Sequence, residues 1–163
     1  MKEKIEKVKL EIDKIFEKKE REGSFKCDEE GGGRKVVFIE DFAVKFPIES
    51  GKIWCDGVTQ NLKELEIYLN TKHENLVPIY GTHKGCLICK RIVDAYELFD
   101  DEDDTRSADD IDNEIKEGMK KLEKVIREYD LDASDMSAYR NWGYDYEEDR
   151  FMCLDYGIVN HEW

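Results

Sequence analysis

Between residues 3 and 20, apolar residues recur every three or four positions: Ile5, Val8, Ile12, Ile15 and Phe16 stand among lysines and glutamates. That spacing places all five on one face, and an amphipathic helix is predicted. The stripe needs a partner, either its own domain or, through its heptad-like spacing, a second copy of the chain. The pattern then lapses in EGSFKCDEEGGG, whose three consecutive glycines suit a loop or disordered connector better than a regular element. It resumes as VVFI (36–39) and FAVKF (42–46) on either side of Glu40 and Asp41, which predicts two strands joined by a tight turn.

Further along, Pro47 and Gly51 break the pattern, and a helix is predicted from about Thr59 or Asn61 with Leu62, Leu65 and Leu69 along one face. Asn61 and Glu64 have the spacing of a capping box, a structural use for that glutamate. LVPIY (76–80) and CLIC (86–89) read as short strands flanking GTHKG. The acidic run DAYELFDDEDDTRSADD reads as a solvated loop. Ser107 followed by Asp110 caps a long helix whose face is Ile111, Ile115, Met119, Leu122, Val125, Ile126 and Tyr129. An irregular stretch follows Leu131 as far as Tyr144, and FMCL (151–154) reads as a final buried strand. No internal repeat is visible. Strands cluster early and helices late, so the predicted class is α+β, with an N-terminal helix over 1–24, a sheet-rich lobe over 25–98 and a reduced helical lobe over 99–163.

Charge narrows the options. Of the 163 residues 40% are charged, and the net charge is -14, so the summed field repels phosphate backbones and anionic lipid and disfavours direct nucleic-acid or membrane binding. The start, MKEKIEKVKL, lacks an apolar core, and no stretch approaches the ~18 apolar residues of a membrane span, which predicts a soluble cytoplasmic protein. Five cysteines at irregular spacing read as free thiols. Cys86 and Cys89 form a CxxC, but in a strand positions i and i+3 face opposite ways, and no second pair completes a tetrahedral site.

Three features carry candidate chemistry. Gly31, Gly32 and Gly33 precede the first strand of the hairpin, where glycine amides can approach phosphate oxygens. Lys45 lies in the second strand, either on its exposed polar face, the ordinary place for a strand lysine, or as a fixed cation. Asp155 follows the apolar FMCL, where a buried carboxylate requires a partner. A carboxylate at a strand end can hold a divalent cation.

In these motifs and their order the chain resembles the protein-kinase-like fold, in its minimal two-lobed form with an antiparallel sheet lobe. Ala43-Val44-Lys45 resembles the strand whose lysine contacts ATP phosphates, and Asp155-Tyr156-Gly157 resembles the D-F-G triplet whose aspartate binds Mg²⁺. ELEIYLNTKHENLVPIY is similar to the family's regulatory helix and the segment after it, which selects Glu64, nine residues before His73, as the glutamate that holds Lys45. DMSAYRNWGYD resembles a degraded catalytic loop, with Asn141, fourteen residues before Asp155, as the second metal ligand. Asp135 is then the base, with Asp132 as the alternative, because the spacing to Asn141 is one residue longer than in D-x-x-x-x-N and no His-Arg precedes it. NWGYD followed by a strand and LDYG is similar to small kinase-like proteins of bacteriophages.

The resemblance covers roughly residues 31–160 and implies an ATP- and Mg²⁺-binding protein, either a phosphotransferase or a pseudokinase, with the nucleotide between the hairpin lobe and the long helix. Two departures qualify it: GGG is not G-x-G-x-x-G, and six residues after Gly157 leave no room for an activation segment. The alternative reading is a non-catalytic acidic protein of phage type that binds a host factor through the acidic loop, by charge or by imitating a nucleic-acid backbone. His73 and His83 lack the companions of a triad or metal site, and Trp142 reads as a core anchor rather than a platform for a base.

Overall fold

The computed structural model describes residues 1–31, 33–48, 56–99 and 104–159. It is an α+β protein whose chain divides into two compact units, Met1–Asn61 with Pro78–Arg91, and Leu62–Val77 with Ile92–Trp163. No helix among the described residues is long and apolar enough to cross a membrane.

The first unit is an antiparallel sheet backed by a helix. Helix α1 (Lys2–Glu22) ends at Gly23, whose φ of 75° is the left-handed cap that glycine adopts without a Cβ clash. Strands β1 (Glu29–Glu30), β2 (Arg34–Ile39), β3 (Phe42–Pro47), β4 (Ile79–His83) and β5 (Cys86–Lys90) pair in the order β1-β2-β3-β5-β4. Alternation puts Phe42, Val44 and Phe46 of β3 on one face, with Cys86 and Ile88 of β5, and there they meet Val8 and Ile12 of α1. The predicted stripe is therefore covered by the chain's own sheet. Each such aliphatic side chain removed from water contributes about 1.5–3 kcal/mol.

Two sequence expectations change here. EGSFKCDEEGGG is not simply a connector, since Glu29 and Glu30 pair with Val36 and Lys35, with Gly31 and Gly33 between the two strands. Gly31 N–H donates to the Arg34 carbonyl at 2.8 Å, and Ile48 N–H donates to the Gly33 carbonyl at 2.8 Å. The second difference concerns LVPIY. Strand β4 begins only at Ile79, after Pro78, which has no N–H for a ladder, and it runs through GTH to a tip at Lys84-Gly85. His83 there meets Asp13 of α1 at 2.9 Å.

Helix α2 (Gly57–Thr71) passes from the first unit into the second. It starts earlier than predicted because Asp56 takes the cap, accepting the Thr59 N–H at 2.9 Å and its hydroxyl at 2.7 Å. The leucine face is not the buried one: Leu62 is 63% and Leu69 59% exposed, while Gln60, Asn61, Glu64 and Ile67 are buried.

The second unit contains strands β6 (Val93–Asp94), β7 (Trp142–Asp145) and β8 (Arg150–Cys153), paired antiparallel in that order. With them are helices α3 (Ala108–Glu128) and α4 (Ala133–Met136). Ser107 caps α3 with Asp110 in a full capping box, and Ile111, Ile115, Leu122 and Val125 of the predicted face are buried. The stretch before FMCL is less irregular than expected, because Trp142–Asp145 pairs residue for residue with Arg150–Cys153. The acidic run is not wholly solvated either. Ala95 and Leu98 are buried, and the side chain of Asp104, 4% exposed, pairs with Arg106. The guanidinium of Arg106 lies 3.6 Å from the Tyr144 ring centre and holds the Asp104 carboxyl down at about 2. Residues 100–103 of that run lie outside the described residues.

Candidate functional site

The β7–β8 hairpin explains the spacing of Asn141 and Asp155. Trp142 pairs with Cys153 at its open end, so the residue before β7 and the residues after β8 come back together. Leu154 N–H donates to the Asn141 carbonyl at 2.7 Å, and Asp155 is next in the chain. Trp142 fixes this end. Its ring is fully buried, its indole N–H donates to the Met136 carbonyl at 2.6 Å, and it lies against Gly118 of α3. Trp142 is thus a core anchor.

Asp135 completes the group. Helix α4 is capped by Asp132, whose carboxylate accepts the N–H groups of Ser134 at 2.9 Å and Asp135 at 3.1 Å and the Ser134 hydroxyl at 2.7 Å. Those bonds hold the Asp132 carboxyl below its usual range and give it a structural job at the start of α4. Asp135 sits in the following turn. Asn141 Nδ2 donates to the Asp135 carbonyl at 2.7 Å and to its Oδ2 at 3.2 Å, while Arg140 Nη2 donates to Oδ1 at 2.8 Å. Burial and the field of Asp155 push the Asp135 carboxyl up, against the opposing pull of Arg140. Asp135, Asn141 and Asp155 therefore share one locality in the second unit.

Glu64 belongs to the same unit and has 0% exposure. It is not a capping residue: its Oε1 accepts the backbone N–H of Tyr156 at 3.2 Å, which ties α2 to the Asp155-Tyr156-Gly157 segment. Tyr156 is buried as well, its hydroxyl donating to the Val77 carbonyl at 3.3 Å. Asp155 itself is partly buried, with Oδ1 enclosed. Asn61, the expected partner in a capping box, lies inside the helix. Its amide donates to the carbonyls of Lys45 at 3.1 Å and Gly85 at 2.8 Å and accepts from the buried Arg34 at 3.2 Å.

In the first unit Lys45 is buried, not on an exposed polar face, and pairs across the sheet with Val36 and Leu87. Of the three glycines, Gly32 lies outside the described residues, and the N–H of Gly31 is engaged by Arg34. That amide closes the hairpin and is not offered to a phosphate. A Cβ at Gly57 would collide with the Gly33 carbonyl oxygen, so the helix start requires glycine for close approach.

Sequence reasoning missed Arg140 and the link between Glu64 and Tyr156. Arg140 was visible as the only cation between Asp135 and Asp155 until Arg150, but its sequence neighbours give no sign of which carboxylate it meets. Cys86 and Cys89 of the CxxC are both buried, and burial pushes the Cys86 thiol up to about 12, away from the thiolate form. His73 accepts the Asn75 N–H at 3.1 Å beyond the end of α2, a local structural bond. Among the described residues no group of three or more His, Cys, Asp or Glu side chains is arranged to hold a metal ion.

Asn141 and Asp155 would offer an amide oxygen and a carboxylate. These are hard oxygen donors of the kind Mg²⁺ takes, and Mg²⁺ needs only one or two protein ligands when phosphates and water supply the others. The donor chemistry therefore fits. Comparison with known protein families finds no family model that matches, and no curated protein sequence matches the chain.

Proposed function

We propose that this is a minimal kinase-like protein that binds ATP with Mg²⁺. The observation that supports this reading best is the return of Asn141 and Asp155 to one locality beside Asp135 at the open end of the β7–β8 hairpin. Asn141 and Asp155 would hold the metal, which when bound neutralises phosphate charge. Lys45 is the cation that the resemblance assigns to the phosphates. Glu64 orients the segment carrying Asp155 by accepting the N–H of Tyr156, and in this chain that role stands beside the one the resemblance assigns it toward Lys45.

Within this reading, binding is favoured over transfer. Both carboxylate oxygens of Asp135 are engaged, Oδ1 by the Arg140 guanidinium and Oδ2 by the Asn141 amide. Each oxygen keeps a second lone pair for an acceptor hydroxyl, but the Arg140 guanidinium opposes proton uptake by the carboxylate it pairs with.

Thermal melting tests the proposal. A ligand at 100 times its dissociation constant adds ~2.7 kcal/mol of stability, so millimolar Mg-ATP should raise the melting temperature by several degrees. Lys45→Ala and Asp155→Asn should each remove the shift while the protein stays folded. A melting temperature that Mg-ATP leaves unmoved would rule the nucleotide reading out.

A further inference from the structure

Arg140 lies in the single turn Tyr139–Asn141, between Asp135 and the open end of the β7–β8 hairpin. Its side chain is 65% exposed, so a ligand in solution can reach it. We propose that Arg140 is a phosphate-binding residue: its guanidinium, held by Asp135 in the free protein, leaves that carboxylate for the terminal phosphate of bound Mg-ATP. The inference deepens the nucleotide reading and rests on it.

Geometry supplies the first argument. Arg140 Nη2 donates to Oδ1 of Asp135 and Asn141 Nδ2 donates to Oδ2, so the guanidinium and the amide hang on the two oxygens of one carboxylate. A ligand group that meets the Asn141 amide is therefore within reach of the guanidinium. Only Nη2 is engaged, since Nε and Nη1 make no hydrogen bond among the described residues. The planar fork of a guanidinium matches two oxygens of a phosphate. In the nucleotide reading Asp135 stands where an acceptor hydroxyl meets the phosphate to be transferred, which selects the terminal phosphate over the inner ones.

Charge supplies the second. Asp155 and Asp132 both act on Asp135 with negative fields, and Arg140 is the cation that opposes them there. A phosphate entering among these carboxylates needs a positive partner, and Arg140 is the one in place. An exposed ion pair such as Arg140 with Asp135 is held weakly, whereas a phosphate offers the guanidinium more charge and a two-point bond. The exchange also withdraws the guanidinium from Asp135, so the contact that opposes proton uptake in the free protein is released by the ligand itself.

Titration of the full chain, followed through the Nε–H NMR signal of Arg140, tests this with Mg-ATP, Mg-ADP and Mg-tripolyphosphate as separate probes. A saturable shift of that signal with Mg-ATP and with Mg-tripolyphosphate is expected. Calorimetry should show Arg140→Gln, a surface change, weakening Mg-ATP binding by about tenfold or more, and Mg-ADP binding clearly less. If the unaltered protein binds Mg-ATP but the Nε–H signal stays still, or Arg140→Gln binds Mg-ATP as tightly or loses both nucleotides equally, the assignment of Arg140 falls while the nucleotide reading stands. A shift with Mg-tripolyphosphate and no binding of Mg-ATP would sink the nucleotide and keep Arg140 as a polyphosphate contact. No response to any of the three probes would overturn both.

Discussion

Gly118→Ala tests the packing that holds Asn141 in place. Alanine is ordinarily favoured over glycine inside a helix by about 1 kcal/mol, so on helix propensity alone this change in α3 should stabilise the protein. The structure argues for the opposite sign. A Cβ at residue 118 would lie 2.7 Å from two ring carbons of Trp142, Cη2 and Cζ3, about 1 Å inside ordinary contact distance. The ring has little freedom to retreat, because it is fully buried and its indole N–H is bonded to the Met136 carbonyl at 2.6 Å. Overpacking costs about 1–3 kcal/mol, and a displaced indole adds about 1 kcal/mol for its hydrogen bond. Against the propensity gain, the net loss is about 1–3 kcal/mol, or a fall of about 2–4 °C in melting temperature per kcal/mol for a chain of this size. Urea unfolding followed by tryptophan fluorescence measures it. Trp142→Phe removes the colliding ring edge, so the double variant should lose clearly less than the sum of the two single changes. A Gly118→Ala protein as stable as the original, or additive losses in the cycle, would show that Trp142 is not held as described.

Two further predictions concern the site. Glu64→Gln keeps an oxygen to accept the Tyr156 N–H and should melt close to the original, whereas Glu64→Ala takes that acceptor from a buried amide and should cost about 1–3 kcal/mol; equal stability of the two variants in urea titration would contradict the bond. Asp135→Asn tests the raised carboxyl. Because the folded-state value lies above the unfolded one, the folded protein binds the proton more readily, and this residue's contribution to stability falls as pH rises through the window above the ordinary aspartate value of ~3.9. The asparagine variant should therefore melt higher than the original at pH 7, with the advantage fading toward pH 4; a variant that melts lower at neutral pH would mean that the Arg140 ion pair outweighs burial.

The fold was legible where one face of an element is apolar and the other is not. Val8 and Ile12 of α1, and Ile111, Ile115, Leu122 and Val125 of α3, were found by spacing because their burial follows the hydrophobic effect alone. Helix α2 defeated the same rule. Its buried face holds Gln60, Asn61 and Glu64, while Leu62 and Leu69 are exposed, because hydrogen bonds to Lys45, Gly85, Arg34 and Tyr156 satisfy the amide of Asn61 and the carboxylate of Glu64. Those partners lie 16 to 92 residues away, and no local pattern announces them. Strand β7 was missed for a related reason. Its four residues, WGYD, include a glycine and an aspartate that are depleted in strands, and both are buried here only because β6 and β8 flank them. Gly143 is required, since a Cβ there would lie 2.7 Å from the Val93 carbonyl of β6.

The candidate site was read from residue types in order, and the fold supplies a physical reason for that order. Bringing Asn141 and Asp155, fourteen residues apart, back together needs a device that reverses the chain between them, and a hairpin of two four-residue strands does so with little loop to order. Placing Asn141 and Asp155 just outside the paired region puts them where the ladder ends and side chains can converge, while the strands fix the backbone that carries them. The reversal also sets what can vary. Inserting one residue into either strand would turn Asn141 or Asp155 to the other face. Asp135, on the one-turn helix before the hairpin, is tied to this end by side-chain bonds from Arg140 and Asn141, so the three residues depend on the same short stretch of backbone.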